Sequence, residues 1–168
     1  MYSLNVPVPG SVGALAGDLG RRLPGARIRQ RGERTLVCKR LGTDRDRYHA
    51  VEARVRDALS GTAPFAARVT GVDLFEEATT GTSPVVYLAV DSPELERLHR
   101  RLCDVFDPVD GIEGEDYTPH VTVARGGDLS RARELAATAV DPVEWSVSAL
   151  EVWDAERARS VTTVSLPA

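Results

Sequence analysis

The chain has 168 residues, 42% hydrophobic, 27% charged and 5% aromatic, which is too short for several large domains and too apolar for disorder. Its formal charge is −4, its apolar stretches are too short to span a bilayer, and the start MYSLNVPVPG has no basic region followed by an apolar core. Membrane spans, a signal peptide and collagen-like repeats are therefore not expected, and a cytoplasmic protein is.

In chain order, Tyr2–Val8 alternates like a half-buried strand, and Val12, Leu15, Leu19 and Leu23 recur at helical spacing up to Pro24-Gly25. A basic connector follows, then a strand over Arg34–Leu41 and a helix over Asp44–Leu59 with Thr43 as its N-cap. Ala67–Phe75 and Pro84–Val90 read as strands, and Ser92 caps a helix carrying Leu95, Leu98, Leu102 and Phe106. The run DVFDPVDGIEGED, residues 104–116 with six acids, is expected to be a solvated loop. A strand over His120–Ala124, a helix over Ser130–Val140, and strands over Glu144–Trp153 and Val161–Leu166 complete the chain. Trp145 and Trp153 share parity on one of these strands and are expected to face the core.

These elements repeat in order. Leu4 and Val6 recur 84 positions on as Leu88 and Val90, the helices after them align at 83, Thr35-Leu36-Val37 aligns with Thr122-Val123-Ala124 at 87, and Val69–Phe75 aligns with Val147–Trp153 at 78. The expectation is a single α+β domain over residues 1–168, built from pseudo-repeats of about 1–76 and 84–166.

Chemistry concentrates in TPHVTVAR. His120 and Thr122, two apart on a strand, leave the same face, offering an imidazole that titrates near neutrality and a hydroxyl that can hold a phosphoryl oxygen. That segment, the internal duplication and the length together resemble the two-histidine (2H) phosphoesterase superfamily, in its 2′-5′ RNA ligase and RNA 2′,3′-cyclic phosphodiesterase branch. The resemblance implies a bilobal fold in which two antiparallel sheets line a central cleft with helices outside. It further implies two H-x-T/S motifs, one per lobe, facing each other across a bound phosphodiester. His120 and Thr122 match the second motif, with Arg125 placed to help hold RNA phosphate. Registering the first motif on Thr35 puts Glu33 where the family has a histidine.

The corresponding mechanism has Glu33 activate water against a 2′,3′-cyclic phosphate while His120, as imidazolium, protonates the leaving ribose oxygen and Thr35 and Thr122 hold the nonbridging oxygens. Arg34, Lys39, Arg40 and Arg125 are the cations available to offset the carboxylate. Residues 21–56 carry twelve basic side chains against four acids, so the connector RIRQRGER is a candidate basic lip for RNA, and Tyr117 could stack on a base. RNA ends or small cyclic nucleotides are the expected partners, with a monomer as the working state. The alternative is a module that keeps the cleft and binds phosphate without turnover. Cys38 and Cys103 lie 65 positions apart with no CxxC, which fits a reducing compartment and a buried thiol at Cys38. His49 and His99 stand alone on helices, and P-loop, GxGxxG and HExxH motifs are missing, so neither a metal nor a nucleotide cofactor is expected.

Overall fold

A computed structural model of the protein describes residues 1–42 and 48–167. Along the chain run β1 (Tyr2–Val6), α1 (Gly10–Gly20), β2 (Arg27–Ile28), β3 (Leu36–Gly42), α2 (Tyr48–Leu59), β4 (Phe65–Phe75), β5 (Val85–Asp91) and α3 (Pro93–Cys103). These are followed by β6 (His120–Arg125), α4 (Leu129–Ala136), β7 (Val143–Val147), β8 (Ala149–Asp154) and β9 (Arg159–Ser165), with tight 3-10 turns at Arg31–Glu33 and Gly114–Asp116. The α+β class with antiparallel strands is as expected.

The strands follow one path, β7-β4-β5-β6-β3-β1-β8-β9, with β2 added beside β6. The two expected sheets are thus joined, and the seam between them is the pair Leu36–Val121 of β3 and β6. The order reads the same from either end once β1 is exchanged with β5, β3 with β6, β8 with β4 and β9 with β7. Helices cross the seam: α1 packs on β6 and α3 on β3.

Local chemistry explains the elements that hold the sheet. In α3 the Ser92 hydroxyl accepts from the Leu95 N–H, Pro93 opens the helix, and Leu95, Leu98, His99 and Leu102 form its buried stripe. Phe106 lies beyond the end of that helix but is still buried. Asp128 caps α4 through the Arg131 N–H. The core is one cluster, in which Leu4, Leu36, Leu88, Val121, Val123 and Leu150 from the strands meet Val12, Leu95 and Leu102 from the helices, all at 0% exposure. Truncating one of these leucines to alanine costs about 2–5 kcal/mol. Gly17 of α1 has a specific reason: a Cβ there would lie 2.8 Å from the Arg34 guanidinium, which rests against the helix.

Two expectations change. The segment Glu144–Trp153 is not one strand but β7 and β8, which lie at separate places in the sheet order, β7 pairing with β4 and β8 with β1. The buried positions show why: Val147, Leu150 and Val152 step by three and then two, so alternation breaks at Ser148 and the chain crosses over. The helix expected over 44–59 is present from Tyr48, while Thr43 and residues 44–47 lie outside the described residues. No described helix is long and apolar enough to cross a membrane.

Candidate functional site

Strand β6 buries Val121 and Val123 on one side and turns His120 and Thr122, both half-buried, to the other. There they line a cleft of about 370 Å³ together with Thr35, just before β3, and Val37 of β3, which flank Leu36 where it pairs with Val121 toward the core. The His120 ring sits edge-on to Phe75 at 5.4 Å and tilted to Tyr87 at 5.2 Å, while Phe75 and Tyr87 stack at 4.3 Å. Burial and the nearby aspartate Asp73 push the Tyr87 phenol up to about 12, so it stays neutral beside the histidine.

His120 is oriented by its backbone surroundings. Its Nδ1 lies 2.7 Å from the Thr118 carbonyl, so Nδ1 carries the proton and Nε2 is left with its lone pair. Burial holds the imidazole below its ordinary pKa, and the Arg40 and Arg125 charges act in the same direction against the opposing Thr118 bond. A neutral ring with a basic Nε2 is the form present at pH 7. Burial, Arg29 and Arg40 all depress Arg125, which marks three guanidiniums converging on one place, and all three line the cleft. Arg125 is fixed through Nη1 on the Thr80 carbonyl at 2.9 Å.

The sequence pattern of the 2'-5' RNA ligase superfamily matches residues 39–159 of this chain. The chain belongs to that superfamily. The match includes His120 and Thr122 and begins after Glu33 and Thr35. Among solved structures, TT0787 of Thermus thermophilus is similar with a TM-score of 0.69 at 18% identity, covering 98% of this chain and 97% of that one. E. coli LigT complexed with NADP+ gives a TM-score of 0.61 at 15% identity, over 99% of this chain and 94% of that one. E. coli LigT complexed with 3'-AMP gives 0.59 at 14% identity, over 98% and 96%. At these identities the likeness is one of fold. No curated protein sequence matches the chain.

Within this superfamily fold the expected site residues divide sharply. His120, Thr122, Thr35, Glu33, Arg40, Arg125 and Tyr117 all line the cleft. Glu33 does so as part of a capping turn, its Oε1 2.8 Å from Arg27 Nη2 and its Oε2 accepting the Gln30 N–H at 3.1 Å. The Gln30 hydrogen bond, with the Arg27 and Arg29 charges, holds its carboxyl below the usual range, so it is a weaker base than a free carboxylate.

Lys39 is not among the residues that line the cleft: it is wholly buried, with Nζ 2.5 Å from Glu113 and further bonds to the Arg40 and Asp107 carbonyls. A β-bulge is the cause. Leu4 pairs with Lys39 and Asn5 with Val37, so Cys38 is the extra residue, Lys39 turns to the core, and Arg40 returns to the cleft face. The acidic segment 104–116 is correspondingly not all solvated, because Glu113 is buried and also accepts the Arg40 and Val109 N–H groups. Arg34 also leaves the site, donating to the Gly13 carbonyl at 2.6 Å and the Arg29 carbonyl at 3.0 Å.

Tyr117 lines the floor with its ring stacked on His99 at 3.7 Å and its hydroxyl on the Val37 carbonyl at 2.8 Å, so one ring face is already taken. Cys38 is the buried thiol expected, and burial raises its pKa well above the ordinary value. Sequence reasoning missed Phe75 and Trp153 as cleft residues. Trp153 stands beside Ser3 on the cleft side of β8, not in the core. The signal for both was that Phe75 and Trp153 fall on each other when Val69–Phe75 is aligned with Val147–Trp153.

Proposed function

We propose that the cleft holds the phosphate of an RNA end or a small cyclic nucleotide and that His120 is its general base. The observation carrying this reading is the pairing of His120 Nδ1 with the Thr118 carbonyl, which leaves a basic Nε2 in a cleft with Arg29, Arg40 and Arg125. Superfamily membership and the fold shared with LigT, which has been crystallised with 3'-AMP and with NADP+, support a nucleotide or RNA ligand.

In the proposed reaction on a 2′,3′-cyclic phosphate, a water oxygen forms a bond to phosphorus and its proton passes to His120 Nε2. One ribose P–O bond breaks, and the departing oxygen takes a proton from solvent. Thr122 donates to a nonbridging oxygen and the arginines offset the charge building on phosphorus. No step of this scheme calls for a metal. A phosphoryl displacement places attacking and leaving oxygens on opposite sides of phosphorus, so one imidazole serves only one of them and turnover is slow. The same site would serve a 2′-5′ linkage.

The second reading, a phosphate-binding module without turnover, is favoured by one observation: both oxygens of Glu33 are already bonded, one to the Gln30 N–H of its turn and the other to Arg27 of β2. Hydrolysis of 2′,3′-cyclic AMP by the wild type and by His120→Ala separates the two. Loss of product formation in the variant supports catalysis. Binding of 3'-AMP with equally low turnover in both proteins supports the module.

A further inference from the structure

Strand pairing fixes which residues of the two halves correspond more tightly than sequence likeness does. Val6 pairs with Leu36, Leu36 with Val121, and Val121 with Leu88, so four residues form one row across β1, β3, β6 and β5. A twofold through the Leu36–Val121 pair exchanges Val6 with Leu88, a spacing of 82, and β3 with β6 at a spacing of 85. The outer strands check it. The axis sends the pair Leu4–Val152 onto Val86–Leu74, which is itself a pair of the sheet, and 152 − 74 gives the spacing of 78 that the sequence shows for β4 and β8. It also sends Phe75 onto Trp153, and both line the cleft. An axis one step over, through Thr35 and Thr122, slides β1 along β5 until Leu4 falls on Pro84, before β5 begins.

We infer that the counterpart of His120 is Thr35, not Glu33, and that the counterpart of Thr122 is Val37. Both Thr35 and Val37 are half-buried on the cleft face, as His120 and Thr122 are, whereas Glu33 lies two residues further out in the capping turn. Under this assignment the site has one imidazole, a hydroxyl where its mate would stand, and an isopropyl group where a second phosphate-holding hydroxyl would stand. A threonine hydroxyl can donate a hydrogen bond to a departing oxygen but cannot deliver a proton at pH 7, so Thr35 orients the ligand on that side. The catalytic part of this inference rests on the function proposed above. The geometric part does not.

The test is made with Thr35→His, Thr35→His/Val37→Thr and Glu33→His, each compared with wild type in two ways. In NMR titration of the imidazole protons, the histidine introduced by Thr35→His and His120 are expected to titrate as a coupled pair, while the one introduced by Glu33→His titrates independently. In hydrolysis of 2′,3′-cyclic AMP, Thr35→His is expected to raise kcat by about tenfold or more with a bell-shaped pH profile, while Glu33→His leaves it unchanged. Independent titration in Thr35→His, or coupling in Glu33→His, overturns the correspondence. Coupled titration in Thr35→His with no hydrolysis by any form leaves the correspondence standing and sinks the catalytic function.

Discussion

On either side of the seam, β6 and β3 carry the same alternation but different contents. β6 presents His120 and Thr122 to the cleft and buries only apolar groups, Val121, Val123 and Ala124. β3 and the residue before it present Thr35, Val37 and Arg40, and the register that pairs Leu36 with Val121 places Lys39 at the position of Ala124. One half therefore holds the titrating group, and the other holds a buried Lys39–Glu113 pair that ties the 104–116 loop beneath the cleft. Two strands with one backbone role carry different side chains, one offering an imidazole to the cleft and the other anchoring a loop.

The chemical half breaks with the largest effect. His120→Ala is expected to lower hydrolysis of a 2′,3′-cyclic nucleotide by about 10²–10⁴-fold, since that is the usual scale of a positioned general base. Binding of 3'-AMP should change much less, because Arg29, Arg40 and Arg125 remain. A parallel collapse of binding, measured by calorimetry, would assign His120 to ligand holding.

The architectural half breaks next, in stability. Glu113→Ala leaves the Lys39 ammonium buried at 0% exposure with only the Arg40 and Asp107 carbonyls, and such a broken pair costs about 3–5 kcal/mol in urea denaturation. The double variant Lys39→Met/Glu113→Leu is expected to recover much of that loss, as both charges leave the interior. If the double variant is no better than the single one, the loop is held by the backbone bonds to Arg40 and Val109 rather than by charge.

A smaller effect distinguishes the halves by pH. His99 in α3 keeps Nδ1 on the Cys38 carbonyl at 2.7 Å and accepts the Gly114 N–H on Nε2 at 2.9 Å, so it is held as the neutral ring. Burial lowers its pKa, as it does for His120. The unfolded chain then binds more protons than the folded one below about pH 6.5, so stability is full above that value and falls on acidification. The depressed carboxylates Glu33 and Glu113 add to the loss only lower, below about pH 4.5. Denaturation midpoints between pH 7.5 and 5 are expected to fall, and His99→Gln should flatten that slope whatever its absolute stability. An unchanged slope would mean that His99 titrates normally.

Much of this was legible in the chain because period and caps are local. The α3 stripe, its Ser92 cap and the His120/Thr122 face follow from short-range pattern. What was not legible depends on partners far along the chain. The bulge at Cys38 exists only relative to β1 and inverts the parity of everything after it, which is why Lys39 reads as a cleft residue and is not. Likewise Glu113 reads as a solvated acid because its partner is 74 positions away. Trp153 reads as core because β7 and β8 look continuous until their separate pairings are known.

Glu33 gives the smallest effect and the sharpest use of the comparison. Its side chain is 26% exposed, and its Arg27 partner is 71% exposed, so the ion pair is a screened surface contact. Glu33→Gln keeps an acceptor for the Gln30 N–H and is expected to shift stability by less than about 1 kcal/mol. If the carboxylate does no proton transfer, its kcat on 2′,3′-cyclic AMP stays within about twofold of wild type, and the loss caused by His120→Ala is the same in either background. A large drop in kcat for Glu33→Gln, with KM unchanged, would put the acid–base chemistry on the β3 side after all, because a merely structural glutamate in an exposed turn has no route to the reacting proton.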